Sequence, residues 1–177
     1  MKFTTVSLAL AGTTLAAPPN TQAFDIMALR SASPIHFAAL SASRGSFFLN
    51  LPKQNAQCKG DNNRATLYLQ GSKLFLYSDE AKPQQVFVDR SGMGQGKIGY
   101  LTDVATLPRY GELEGWSITG DGNLVFHGKI LQACPNSIDG AWSVWAGEVV
   151  NPAGNKGCLG FSPRKLPNDK PVSCVYN

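Results

Sequence analysis

Between residues 115 and 158 turn-forming residues cut the chain into runs too short for a helix, and this punctuation is what most limits the fold. Trp116-Ser117-Ile118-Thr119 alternates apolar and polar side chains, the two-residue period of a half-buried strand. Gly120-Asp121-Gly122-Asn123 follows, residues that tolerate positive φ and so close a hairpin at small steric cost. Leu124-Val125-Phe126 is the returning strand. Beyond it lie Cys134, a Pro135-Asn136 turn, a strand over Trp142-Ser143-Val144-Trp145, an Asn151-Pro152-Ala153-Gly154 loop and Cys158. The stretch reads as a small cross-linked β unit, and no catalytic spacing interrupts it.

The same pattern extends along the chain. Strands are predicted over residues 24–29, 33–37 (with Pro34 near its start), 46–49, 86–89, 98–100 and 159–161, and a closing strand over 171–176. Residues 65–69 and 73–77 flank Gln70-Gly71-Ser72 as a hairpin. Residues 52–63 and 104–114 are expected to be loops. Ser91-Gly92-Met93-Gly94-Gln95-Gly96-Lys97 is rich in glycine, but Ile98 follows Lys97 where a phosphate loop needs Ser or Thr and a helix, so a bent turn is expected. No amphipathic run of helical length occurs after the leader. The fold class is therefore all-β: one disulfide-linked domain over residues 24–177, of about twelve short strands. A loose recurrence of hairpin, paired strands and loop favours a β-trefoil-like barrel over a β-sandwich.

The first residues read as a secretory leader. Lys2 precedes an apolar run over residues 6–15 that is too short to span a bilayer, and Ala16-Ala17 closes it. The leader is assigned to residues 1–17, with cleavage between 16 and 23. No later segment suits a transmembrane helix. Four cysteines, Cys58, Cys134, Cys158 and Cys174, lie beyond it, and an even count on a secreted chain implies two disulfides. Three connectivities are open. Cys134–Cys158 with Cys58–Cys174 is preferred, because the first closes a local loop and the second ties back the C-terminus. No Cys-x-x-Cys pair supports a zinc site, and no cofactor motif is present.

The formal charge of +4 is spread along the chain, with Arg164-Lys165 as the one adjacent basic pair, which argues against a nucleic-acid partner. His36 and His127 have no neighbour at metal-ligating spacing, and no Gly-x-Ser-x-Gly elbow occurs. A glycosidase needs two facing carboxylates; Glu112, Glu114, Asp121, Asp139 and Glu148 are the candidates, with Asp121 and Asp139 in turn contexts that explain them locally. Along their strand Trp142 and Val144 share one face and Ser143 and Trp145 the other, so one indole faces the core. Tyr110, Trp116 and Trp145 are the candidate glycan contacts, as aromatic faces pack on sugar C–H surfaces. No N-glycosylation sequon occurs.

Several segments taken together resemble the fungal cell-wall protein PhiA family: Ser33-Pro34-Ile35-His36, Lys73-Leu74-Phe75-Leu76-Tyr77, Val86-Phe87-Val88-Asp89-Arg90-Ser91-Gly92-Met93-Gly94-Gln95-Gly96, the hairpin over residues 115–126, Ala133-Cys134-Pro135, and the end from Cys158-Leu159-Gly160-Phe161 to Pro171-Val172-Ser173-Cys174. The resemblance implies a secreted, non-enzymatic wall component linked to phialide and conidium development, with wall polysaccharide or other wall proteins as partners. Gly96-Lys97-Ile98-Gly99, Gly115-Trp116-Ser117-Ile118-Thr119 and the last three cysteines are also similar to the C-terminal four-cysteine module of yeast-type wall proteins with internal repeats. Those attach to glucan through a glutamine in a separate repeat, which this chain lacks. A carbohydrate-binding module for glucan or chitin is the alternative reading.

Overall fold

The computed structural model describes residues 21–79 and 82–177. The expected leader, residues 1–17, lies outside the described residues. In chain order the strands are β1 (Phe24–Leu29), β2 (Leu40–Ser43), β3 (Ser46–Leu49), β4 (Gln57–Cys58), β5 (Thr66–Gln70), β6 (Lys73–Leu76), β7 (Gln84–Asp89) and β8 (Lys97–Leu101). They continue with β9 (Gly111–Glu112), β10 (Trp116–Ile118), β11 (Leu124–Phe126), β12 (Leu131–Cys134), β13 (Trp142–Ala146), β14 (Leu159–Pro167) and β15 (Cys174–Val175). Three short 3₁₀ turns, Val104–Thr106, Ile138–Gly140 and Pro152–Gly154, are the helical content of the described residues. The protein is all-β, as expected.

Antiparallel pairing runs β8–β13–β12–β14–β1–β5–β6–β7, and β7 pairs back onto β8 over five residue pairs, from Gln85↔Leu101 to Asp89↔Lys97. The sheet thus closes into a ring. β3 pairs with β8 and β13 and carries β2 on its outer side, and β9 lies against β7. Alternation sorts the two faces. Phe24, Ile26 and Ala28 of β1, Leu74 and Leu76 of β6, Val86 and Val88 of β7, Val144 and Ala146 of β13 and Phe161 of β14 all point into one buried cluster.

The hairpin β10–β11 is a separate two-stranded sheet that turns its apolar side chains into the core. It is tied to the ring where the Trp116 N–H donates to the Ser72 carbonyl at 3.0 Å and the Lys165 N–H of β14 to the Gly122 carbonyl at 2.9 Å. Trp116 lies opposite Phe126 in register, with ring centroids 4.9 Å apart, and both are in the core with Leu124. A void among these apolar side chains is about 10 Å³, too small and too apolar for more than one water.

Several segments depart from expectation. The closing strand expected over residues 171–176 is only β15, the expected loop 104–114 holds a 3₁₀ turn and β9, and β2 and β12 fall outside the predicted strands. Three further segments have a clear physical reason. Residues 33–37 form a turn, with Phe37 at φ +64° and Ala28 exchanging hydrogen bonds with Phe37 and Ala38, each 2.8 Å. Pro34 initiates this turn and the buried Ile35 anchors it. The segment 52–63 is tied down, because the Gln54 side chain, 1% exposed, donates to the carbonyls of Asn62 and Arg64. Finally, β14 runs past Pro163 to Pro167. Pro163 lies opposite Ala28, whose N–H and C=O both point away to Ala38 and Phe37, so this is a non-hydrogen-bonded position where proline's missing N–H costs nothing.

Candidate functional site

The disulfides are Cys58–Cys174 and Cys134–Cys158, the preferred pairing. Cys58 and Cys174 are directly opposed across β4–β15. The β12–β14 register (Ala133↔Leu159) brings Cys134 opposite Cys158 in the same way. Both bridges have Cα atoms 4.1 Å apart, nearer the separation of about 4.5 Å of a non-hydrogen-bonded antiparallel pair than that of a hydrogen-bonded one. The second bridge fixes the Pro135-Asn136 turn beside the loop that carries Asn155.

The three aromatic candidates separate. Trp116 is 2% exposed inside the ring and presents no face to a sugar, because the cross-strand partner Phe126 draws that face of β10 inward. Tyr110 is 54% exposed, with the Arg109 guanidinium 5.3 Å from its ring centroid, and stands on the turn before β9. Trp145 is half-buried on the outward face of β13, whereas Trp142 on the opposite face packs against the core. Its indole is held in place by Nε1–H donating to Ser143 Oγ at 2.9 Å.

Trp145 lines an open cleft of about 300 Å³ together with Ser46, Lys97, Asn136, Ser137 and Asn155. They come from separate parts of the chain, with Asn136 and Ser137 supplied together by one turn. Ser46 and Lys97 are delivered by β3 and β8, the latter as the cross-strand neighbour of Trp145. Asn136, at φ +61°, occupies the left-handed turn position that asparagine tolerates. Phe48 backs the cleft from β3, pinned by a small apolar cluster with Leu51, Ala141 and Ile138. Tyr110 does not line it. Apart from Trp145, the sequence offered no local signal for these residues; the Cys134–Cys158 pairing, which brings residues 136 and 155 near each other, is the signal that could have found them.

The carboxylates Glu112 and Glu148 do converge, but on a cation. Arg90 bonds Glu148 through Nη1, and its Nε stands 3.4 Å from Glu112 Oε2, which also meets His127 Nε2 at 3.1 Å. Hydrogen bonding to Arg90 holds the Glu148 carboxyl below its ordinary range, and Glu148 in turn raises the guanidinium. A glycosidase's general acid needs the opposite shift, upward. The cluster works as an ionic clamp joining the end of β7 to β9 and the loop after β13. Glu114 pairs with Lys73 at 3.4 Å, Asp139 sits in a turn at φ +50°, and His36 Nδ1 accepts the Arg30 N–H at 3.1 Å. Among the described residues no three His, Cys, Asp or Glu side chains could hold a metal, and no helix is long and apolar enough to cross a membrane.

Comparison with known proteins gives one consistent result. The profile of the PhiA-like secreted protein family matches residues 24–177. "Cell wall protein phiA" of Aspergillus fumigatus is 49% identical over 160 residues, covering 89% of this chain and 86% of that protein. The protein of the same name in Emericella nidulans is 48% identical over 174 residues, covering 97% and 94%, and that of Aspergillus niger is 44% identical over 177 residues, covering 96% of each. No solved structure matches. With the profile beginning at the first residue of β1 and running to the C-terminus, the chain belongs to the PhiA-like secreted protein family.

Proposed function

We propose that the protein is a secreted structural component of the fungal cell wall that acts without catalysis. The observation that carries this reading is the match to relatives named as cell wall proteins, which covers nearly all of both chains. The architecture supports it: a closed ring cross-linked by two disulfides is suited to persisting outside the cell. The absence of catalysis is supported by the salt-bridged state of Glu112 and Glu148.

Sequential extraction of washed walls with hot detergent, detergent plus reductant, and mild alkali tests the proposal. The protein is expected in a wall fraction; recovery only from the culture medium would refute wall residence. The same preparation is expected to show no turnover of wall polysaccharides. Turnover that disappears in Glu112→Gln or Glu148→Gln would overturn the non-enzymatic reading. A role in phialide and conidium formation, implied by the family resemblance, is tested by deleting the gene and scoring spore-bearing structures.

A further inference from the structure

We propose that the cleft beside Trp145 is a binding site for a neutral, β-linked polymer of glucose-configured sugars. The choice of a wall polymer rests on the structural-component reading; the site itself rests on geometry. Here Ser46, Lys97, Asn136 and Ser137 converge on one cleft and, among the described residues, none has a side-chain hydrogen bond or ion pair within the chain. Asn155 spends its Nδ2 on the Pro152 carbonyl at 2.7 Å and keeps Oδ1 for a donor. Hydroxyls, amides and one ammonium thus surround a fixed indole. This is a set of both donors and acceptors, as hydroxyl groups require.

The lining also selects charge. No carboxylate lines the cleft, so a polyamine such as deacetylated chitin finds no counter-charge. A single Lys97 is too little for a polyanion, which calls for several cations. A neutral, hydroxyl-rich ligand remains, and Lys97 serves as a strong donor to its oxygens. The indole adds shape. A β-linked pyranose with equatorial substituents offers a flat face of axial C–H bonds to an aromatic ring; an α-linked chain curves away from a flat surface. The volume, about 300 Å³, is at the small end for ligand sites and suits a short segment of polymer laid across an open surface.

The site is pre-formed. Ser143 holds the indole, Phe48 and its apolar cluster hold the floor, and the Cys134–Cys158 bridge joins the two rims that carry Asn136 and Asn155. Binding therefore loses little to ordering of the protein.

The test is titration of the purified secreted protein with three soluble oligosaccharides: β-1,3-glucan, chitin and α-1,4-glucan fragments. Calorimetry and tryptophan fluorescence are read together. At least one of the β-linked ligands should bind, and whether it is glucan or chitin identifies the polymer; the α-linked one should not. Trp145→Ala should weaken binding by about tenfold or more, with Trp145→Phe losing much less, since stacking is retained. Asn136→Gly, which keeps the left-handed turn, and Ser137→Ala, both on the rim, should each weaken it several-fold and guard against a Trp145→Ala chain that misfolds. Tyr110→Ala, outside the cleft, should bind as the parent does. Failure to bind either β-linked ligand, equal binding of the α-linked one, or binding unmoved by both Trp145→Ala and Asn136→Gly overturns the site. None of these results would change the wall-extraction outcome, which separates the two readings.

Discussion

The two disulfides allow a quantitative test, because they differ in one respect. Each joins directly opposed residues, and each includes one cysteine that is almost fully buried: Cys174 at 1% and Cys134 at 0% exposure. Replacing either pair with alanine therefore incurs a similar native-state packing loss, and this loss largely cancels in the comparison. What differs is the loop closed, a sequence separation of 116 for Cys58–Cys174 against 24 for Cys134–Cys158. The entropy removed from the unfolded chain corresponds to about 4.8 and about 3.5 kcal/mol, so the long bridge should be worth about 1.3 kcal/mol more. In a domain of this size that difference is about 3–5 °C in melting temperature.

Urea unfolding followed by tryptophan fluorescence reports on the core, because Trp116 lies within it. The Cys58→Ala/Cys174→Ala chain should show the lower midpoint and the larger dependence on urea, since its unfolded state is the more expanded. If loss of the local bridge costs as much as loss of the long one, the unfolded-chain account is wrong and native-state packing governs both. If neither loss costs more than about 1 kcal/mol, the cross-links do not contribute to stability in the way proposed.

Other consequences can be checked individually. A Cβ on Gly147 would lie 2.3 Å from the Ile130 carbonyl oxygen, so Gly147→Ala should destabilise by about 1–3 kcal/mol, whereas Gly120→Ala, with open space around it, should be close to neutral. Burial pushes the Tyr176 phenol up to about 12 and raises those of Tyr100 and Tyr68 as well, above the ordinary value near 10. Because the folded values are the higher ones, stability should be complete below about pH 10 and fall as the pH rises towards 12. Tyr176→Phe should flatten that decline, and a melting temperature constant from pH 9 to about 12 would refute it. The leader should be cut after residue 16 or 17 rather than after Ala23, whose carbonyl accepts the Asn168 N–H at 3.0 Å. N-terminal sequencing of secreted protein checks this, and a chain beginning at Phe24 would contradict it.

Local features are legible in the sequence and distant ones are not. The bounds of β1 follow from a short, mostly apolar run that ends at Arg30, and the hairpins β5–β6 and β10–β11 follow from glycine placed between two apolar runs. Of the three disulfide connectivities open in the sequence, the preferred one, with a local bridge and one that ties back the C-terminus, is the one formed. Period-two alternation shows that Trp116 and Ile118 share a face but not whether that face turns inward; Phe126 and the ring interior decide it. Pro163 conceals half of β14, since proline's cost depends on which neighbour the missing N–H would have met. The closure of β7 on β8, and the cleft assembled from β3, β8, β13 and two loops, depend on contacts across the whole chain.

The closed ring has a further consequence for a protein held at high density. A sheet with free edges would let neighbouring molecules add strand to strand and grow into fibrils. Here β2 flanks the ring, and two of its outward backbone groups are already occupied: the Leu40 carbonyl accepts the Ala65 N–H at 2.7 Å, and the Ala42 N–H meets Gln54 Oε1 at 3.4 Å. On the far flank β9 has only two residues. Molecules crowded together in a wall therefore lack a template for backbone polymerisation, and their cohesion has to come from side chains and from the polymer around them.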